Sequence, residues 1–318
     1  MKTPKFWKNK NLISTLLSPL GEIYAFATKQ KIKNGKFPKL DVPVICIGNL
    51  SAGGTGKTPI SISICKILQE NGFNPCFITR GYGGKAKDLY IKKDEEIDPV
   101  LAGDEPLLLS KIADVSINAD RYKAGTKAIQ TGADILVLDD GFQNPSLFKD
   151  KSFIVIDGKY GFGNQMPIPS GPLREKIADG LQRADAIIVV GEDKKDLNKL
   201  AEKYNLEFFN GFVTPVKPKT SNKNIIAFAG IGHPEKLYKS LEELGYNIKH
   251  KFDFPDHHYY NDDEIEKIIN LSKNENLDIF TTTKDFTKID AKHKSLLNIL
   301  DIEIEWKNKN KLKKFLLK

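Results

Sequence analysis

The sequence predicts an α/β protein: a doubly wound parallel-sheet domain, a second and smaller α/β domain, and an N-terminal amphipathic helix. Three observations carry this. From Pro43 onward, short β-rich runs alternate with segments of helical length. The run "DILVLDD" is apolar without alternation, as a strand covered on both faces must be. After "GFVTPVKPKTSNKN", rich in Pro, Lys, Ser and Thr, the alternation restarts. The expected division is residues 1–36, a basic segment; 37–215, the larger domain; and 216–318, the smaller one.

The elements follow in order. "VICIGNL" is a strand, and "TPISISICKILQENG" has the length of a helix and a stop at Gly72. "PCFITRGYGG" reads as a strand ending in a glycine loop, "EPLLLSKIA" as a helix, "VSIN" as a strand and "RYKAGTKAIQTG" as a helix. "SFIVIDG", "PLREKIADGLQRA", "AIIVVGE" and "KKDLNKLAEKY" continue the pattern beyond "DILVLDD". The smaller domain is read from "IIAFAGI", "PEKLYKSLEELG", "NIKHKFDF", "DDEIEKIINLSK", "DIFTTTKD" and "DIEIEW". A length of 318 residues allows two cores, and 40% hydrophobic with 28% charged residues marks a soluble globular chain. Cys46, Cys65 and Cys76 form no CxxC pair, and two of them sit in apolar runs, as reduced thiols of a cytoplasmic protein do.

The net charge of +8 is concentrated at the start. Residues 1–36 hold eight lysines and one acid, Glu22, which leaves +1 for the remainder. That distribution argues against a nucleic-acid groove in the body of the fold. "NLISTLLSPLGEIYAFAT" is interrupted by Pro19, Gly21 and Glu22, too short a run to span a bilayer, and it lacks the cleavage site of a signal peptide. Two readings stay open: an amphipathic segment on an anionic membrane surface, with Phe6, Trp7 and Tyr24 as anchors, or a helix packed on the domain with its lysines solvated.

"SAGGTGKT" matches the phosphate-loop form G-x-x-x-x-G-K-[ST] at Gly56, Lys57 and Thr58, with Ser51 in place of the first glycine. Around Ala52, Gly53, Gly54, Thr55 and Gly56 the backbone N–H groups turn toward phosphate oxygens, and the helix that follows adds its positive end. Lys57 is expected on the β- and γ-phosphates and Thr58 on Mg²⁺. The strand before and helix after make the larger domain a P-loop NTPase-type parallel-sheet domain with a nucleoside triphosphate as donor. Asp139, at the tip of "ILVLDD", stands where a metal-holding acid is expected, with Asp140 beside it and Gln143 just beyond; a plain polar turn is the alternative. Partition-type ATPases carry a lysine where this chain has Ala52, which weighs against that relative.

In order along the chain, "VICIGNLSAGGTGKTP", "TRGYGG", "AGDEP", "NADR", "LDDGFQ", "PSGPLRE", "AGIGHP", "FPDHHYY" and "TTKD" resemble the tetraacyldisaccharide 4′-kinases, over roughly residues 43–286. The resemblance implies ATP-dependent phosphorylation of the 4′-hydroxyl of a tetraacyl glucosamine disaccharide 1-phosphate, giving a lipid A precursor, at the cytoplasmic face of the bacterial inner membrane. It matches Asp104 to the family's catalytic aspartate and His257 to its paired histidine. A carboxylate oriented by an imidazole suits general-base attack by a sugar hydroxyl. Without the resemblance, Asp104 reads equally well as a helix cap and His257 as a loop histidine. Glu105 and Gln143 are candidates to complete the Mg²⁺ shell, and Arg80, Arg121 and Arg174 to contact phosphate or substrate, with structural ion pairs as the alternative. The competing functional reading is a membrane-associated P-loop ATPase or adaptor that phosphorylates no lipid.

Overall fold

The structure, a computed structural model, describes residues 4–218, 220, 222–256 and 258–318. Nine strands form one sheet: β1 (Val44–Gly48), β2 (Pro75–Thr79), β3 (Asp88–Ile91), β4 (Val115–Asn118), β5 (Ile135–Asp139), β6 (Lys151–Asp157), β7 (Ala186–Val190), β8 (Glu207–Pro215) and, much later, β13 (Ile302–Trp306). Between these last two, β9 (Asn224–Ala229), β10 (Asn247–Asp253), β11 (Asp278–Thr282) and β12 (Leu297–Leu300) form a second sheet. The large sheet has the order β13-β8-β7-β6-β1-β5-β2-β4-β3, and the small one β10-β9-β11-β12. Pairing is parallel except at the two edges of the large sheet, β13 on β8 and β3 on β4.

This is the α/β class that the alternating runs predict. β1, β2 and β5 are buried at every residue, which is why they read as unbroken apolar runs. One face of the large sheet packs Ile60, Ile64 and Leu68 of the helix Lys57–Gln69 against Phe77 and Phe153; the other buries Leu40, Leu138 and Ile154. Each such side chain removed from water contributes about 1.5–3 kcal/mol. β1 lies between β5 and β6: the chain leaves β1 for β2 on one side, returns through β4 to β5, and then crosses to β6 on the other side, from where it runs outward to β8. That reversal opens a crevice at the carboxyl ends of the central strands, where α/β proteins hold ligands.

Three expectations are corrected. "DIEIEW" is not part of the smaller sheet: β13 pairs with β8, and Leu312, Leu316 and Phe315 of the following helix pack into the large core, Phe315 edge-on to Phe153 at 5.6 Å. The chain thus crosses between the units twice, and residues 302–318 belong with the larger one. The linker begins later than its composition suggests, because β8 continues through Pro215 and its backbone is committed to β13. The helix expected over "PLREKIADGLQRA" is reduced to Ile177–Leu181, since Pro172, Leu173 and Arg174 give their backbones to the phosphate loop.

Residues Leu12–Leu16 and Ser18–Lys33 are helical. The second helix turns small residues inward, Gly21 and Ala25 with Ile32, and leaves Leu20, Ile23 and Phe26 more than half exposed, as are Leu12 and Leu16 before it. Its apolar face is therefore outward.

Candidate active site

The phosphate loop leaves β1 through Asn49, which is fully buried and whose Nδ2 donates to Thr55 Oγ1 at 3.0 Å. Gly53 and Gly56 have φ of 116° and 86°, which only glycine adopts without strain. Ser51 has no such demand: it forms a β-bridge with Leu173, and the neighbouring Ala52 N–H donates to Pro172 O at 2.7 Å. An extended backbone tolerates a Cβ, so serine fits where the motif has glycine. The helix starting at Lys57 has neither a side-chain cap nor an acid in its first turn, leaving its positive end to a phosphate.

Ile47 of β1 is in register with Asp139 of β5, which brings the acid beside the loop. Thr58 Oγ1 stands 3.5 Å from Asp139 Oδ2, and Ser61 Oγ donates to Oδ1 at 2.7 Å. Ser61 was not among the sequence candidates; lying one turn beyond Thr58 on the same helix face is the signal that would have found it. Burial pushes the Asp139 carboxyl up to about 7, against the pull of the Ser61 hydrogen bond and Lys57. Asp140 is opposite in behaviour. Burial works against its ionisation, but Lys57 and Arg174 outweigh it and hold the carboxyl below its usual range.

Arg174, expected on phosphate, grips Asp140 with two parallel bonds, Nη1 to Oδ1 at 2.8 Å and Nη2 to Oδ2 at 3.1 Å. Lys57 Nζ is 3.8 Å from Asp140 Oδ2. Gln143 uses its amide nitrogen on Asn49 O and Glu175 Oε1, both at 2.9 Å, and Arg183 clamps Glu175 from the other side. Only the Gln143 carbonyl oxygen is left for a ligand. Arg121 is nearly buried and straps the turn before it, through Asn118 O and Ala119 O. Burial, then the charge of Arg80, brings it down to about 10. Both arginines line the same cleft as Lys57 and Glu105.

Asp104 is the first residue of the helix Asp104–Ser110, with Gly103 at the cap position, so its carboxylate is not a cap. It is 4% exposed, and two cations from the smaller unit face it: Lys288 Nζ at 3.8 Å and Lys284 Nζ at 4.0 Å. His257 lies outside the described residues. Its neighbour His258 is committed elsewhere, with Nε2 3.0 Å from Glu264 and the ring stacked on Phe254. Two residues beyond His257, burial and then the charge of Asp104 raise the Tyr259 phenol.

Thr58, Asp139, Asp140, Glu105 and Gln143 offer hard oxygen donors to one cleft. Among the described residues no group of three or more His, Cys, Asp or Glu side chains is placed to hold a metal unaided. That donor set fits Mg²⁺, which is usually held by one or two carboxylates together with substrate phosphates.

A family model described as tetraacyldisaccharide-1-P 4′-kinase matches residues 13–318. The chain belongs to this family. It is 37% identical over 308 residues to the tetraacyldisaccharide 4′-kinase of Paramagnetospirillum magneticum, covering 96% of this chain and 95% of that one. With the Gluconobacter oxydans enzyme it shares 36% identity, at 96% and 94% coverage. The crystal structure of "apo" form LpxK from Aquifex aeolicus in complex with ATP is similar at a TM-score of 0.80 and 28% identity, over 96% of this chain and 99% of that one. As a member of the tetraacyldisaccharide 4′-kinases, the protein is a kinase of lipid A biosynthesis that acts in 4′-phosphorylation. Among the described residues no helix is long and apolar enough to cross a membrane.

Proposed function

We propose that the protein transfers the γ-phosphoryl group of ATP, with Mg²⁺, to the 4′-hydroxyl of a tetraacyl glucosamine disaccharide 1-phosphate, yielding a lipid A precursor with a second phosphate. The observation that carries this reading is a glycine loop with an uncapped helix end, with Asp139 within 3.5 Å of Thr58 and Glu105, the residue after the buried Asp104, lining the same cleft; family membership names the acceptor. The chemistry then follows from the chain. Backbone N–H groups from Gly53 to Thr58 and the uncapped helix end hold the β- and γ-phosphates, and Lys57 supplies a point charge. Thr58 and Asp139 would hold Mg²⁺, with Glu105, Asp140 and the Gln143 carbonyl as further donors, and when bound it would supply positive charge to the phosphate oxygens. Asp104 takes the proton of the acceptor hydroxyl, oriented by His257, as the resemblance implies. Arg80 and Arg121, which line the same cleft, supply positive charge to the anionic groups of donor or lipid, Arg121 while its Nη1 holds the turn before it.

The acceptor lies in a bilayer, and the outward apolar face of Leu12, Leu16, Leu20, Ile23 and Phe26 suits the surface of one. With the lysines around it, this face supports peripheral docking at the cytoplasmic side of the inner membrane. Trp7 departs from the sequence reading of it as an anchor, since its Nε1 donates to Pro169 O at 3.0 Å. The test is incubation with γ-labelled ATP, Mg²⁺ and the disaccharide monophosphate lipid. Label at the 4′-position, lost in Lys57→Ala, is expected. Lipid-independent hydrolysis with no labelled lipid favours the ATPase or adaptor reading.

A further inference from the structure

The motif "PSGPLRE" does more in the fold than present Arg174. Residues 164–173 make a closed loop: Ile168 N–H donates to Leu173 O, Leu173 N–H to Met166 O and Gly171 N–H to Pro167 O, at 2.9, 3.0 and 2.9 Å. Ser170 Oγ donates to Pro167 O at 2.6 Å inside it. A loop held this way transmits displacement instead of absorbing it.

One end of that loop is fastened to the N-terminal segment. Trp7 Nε1 donates to Pro169 O, and Trp7 O accepts from Asn164 N at 2.8 Å. Asn164, itself 4% exposed, donates through Nδ2 to Phe6 O at 3.1 Å and to Ser170 O at 2.9 Å, so one amide joins both segments. Gly21 presses on the same place: a Cβ there would fall 2.4 Å from Ser170 Oγ and 2.9 Å from Pro167 O. The other end of the loop is the wall of the phosphate site. Leu173 bridges Ser51, Pro172 O takes the Ala52 N–H at 2.7 Å, and Arg174 N–H donates to Leu50 O at 2.7 Å before its side chain grips Asp140.

We infer that Trp7 is a positioning residue of the nucleotide site, acting through the 164–174 loop, so that the segment proposed to meet the membrane also sets the phosphate loop. The inference rests on the reading that this loop binds ATP. It predicts an effect on nucleotide affinity in the absence of lipid, where membrane docking plays no part. Losing a hydrogen bond and its packing at one end is expected to weaken ATP binding about five- to tenfold.

The experiment is equilibrium titration of the full-length protein with Mg²⁺ and a fluorescent ATP analogue, without lipid, beside steady-state kinetics and thermal melts. Wild type should bind and Lys57→Ala should not; if wild type fails to bind, it is the nucleotide reading that falls. Trp7→Ala should raise Kd and the KM for ATP several-fold while kcat at saturating ATP changes little. Trp7→Phe, which keeps the ring and loses the N–H, should show a smaller rise in Kd. Gly21→Ala, which wedges the other contact, should raise it too. Should Trp7→Ala melt early, Trp7→Phe and Gly21→Ala carry the test. Folded variants with wild-type Kd and KM for ATP would overturn the inference.

Discussion

Lys288 reaches Asp104 from the smaller unit at 3.8 Å, with neither side chain open to solvent. Asp285 lies on its other side at 3.0 Å and is fully buried, its Oδ2 accepting from Thr282 Oγ1 at 2.6 Å. One buried cation therefore serves two buried carboxylates across the junction of the units. A charge in this position is costly unless it is paired, and removing one member leaves the others uncompensated.

Lys288→Met should accordingly destabilise the protein by about 3–5 kcal/mol, the usual cost of breaking a buried pair. The double variant Lys288→Met with Asp285→Asn should regain most of that. Chemical denaturation of the wild type and both variants checks it, and equal losses in the two would show that the Asp285 pairing is not what matters.

Asp104→Asn keeps the shape of the side chain and removes its basicity. kcat should fall about 10²–10⁴-fold with little change in KM for ATP. Combining it with His257→Ala should cost less than the product of the two, because both would act on one proton. Multiplicative losses in a steady-state cycle would count against the pair.

Asp140 has a φ of 53°, a conformation asparagine and aspartate tolerate better than alanine. Asp140→Ala should therefore be less stable than Asp140→Asn by about 1 kcal/mol in chemical denaturation, although both lose the charge that Arg174 and Lys57 share. Arg174→Lys should not rescue Arg174→Ala in kcat/KM, since a lysine cannot form the two parallel bonds. Recovery by lysine would mean that only the charge is needed.

Burial pushes the Cys65 thiol up to about 12 and the Cys46 thiol to about 11. The unfolded thiols ionise near 9, so the folded state favours the protonated forms. Their contribution to stability is complete below pH 9 and erodes as pH rises toward 11–12. Native protein at pH 8 should resist thiol-specific reagents, and all three cysteines should react once it is denatured. Rapid native labelling would contradict the burial.

Peripheral docking should appear as binding to anionic vesicles that weakens with salt. The substitutions Leu16→Ser and Phe26→Ser on the outward face should reduce it without lowering the melting temperature. They separate docking from folding better than deletion of residues 1–30, which also strips Trp7 and Gly21 from the Pro167–Ser170 turn. Unchanged vesicle binding by the folded double variant would count against the outward face as the docking surface.

The sequence by itself determined the α/β class, the phosphate loop and the acid at the tip of β5, because each is a local pattern. Strand, glycines, lysine and helix are consecutive between Val44 and Gln69, and a parallel strand buried on both faces leaves an unbroken apolar run. The order of the family's motifs brought Asp104 into view even though its neighbours alone allowed a cap. Tertiary structure decided what depends on residues far apart in the chain. It sent β13 back to the large sheet, because the edge of β8 needed a partner that composition cannot name. It gave Arg174 to Asp140, Gln143 to Glu175 and Lys288 to Asp104, pairings set by which strand ends and loops the topology brings together. It also turned the small residues of the N-terminal helix inward and Trp7 onto the loop beside the phosphate site. An amphipathic pattern specifies that a helix has two faces; only packing specifies which of them the protein keeps.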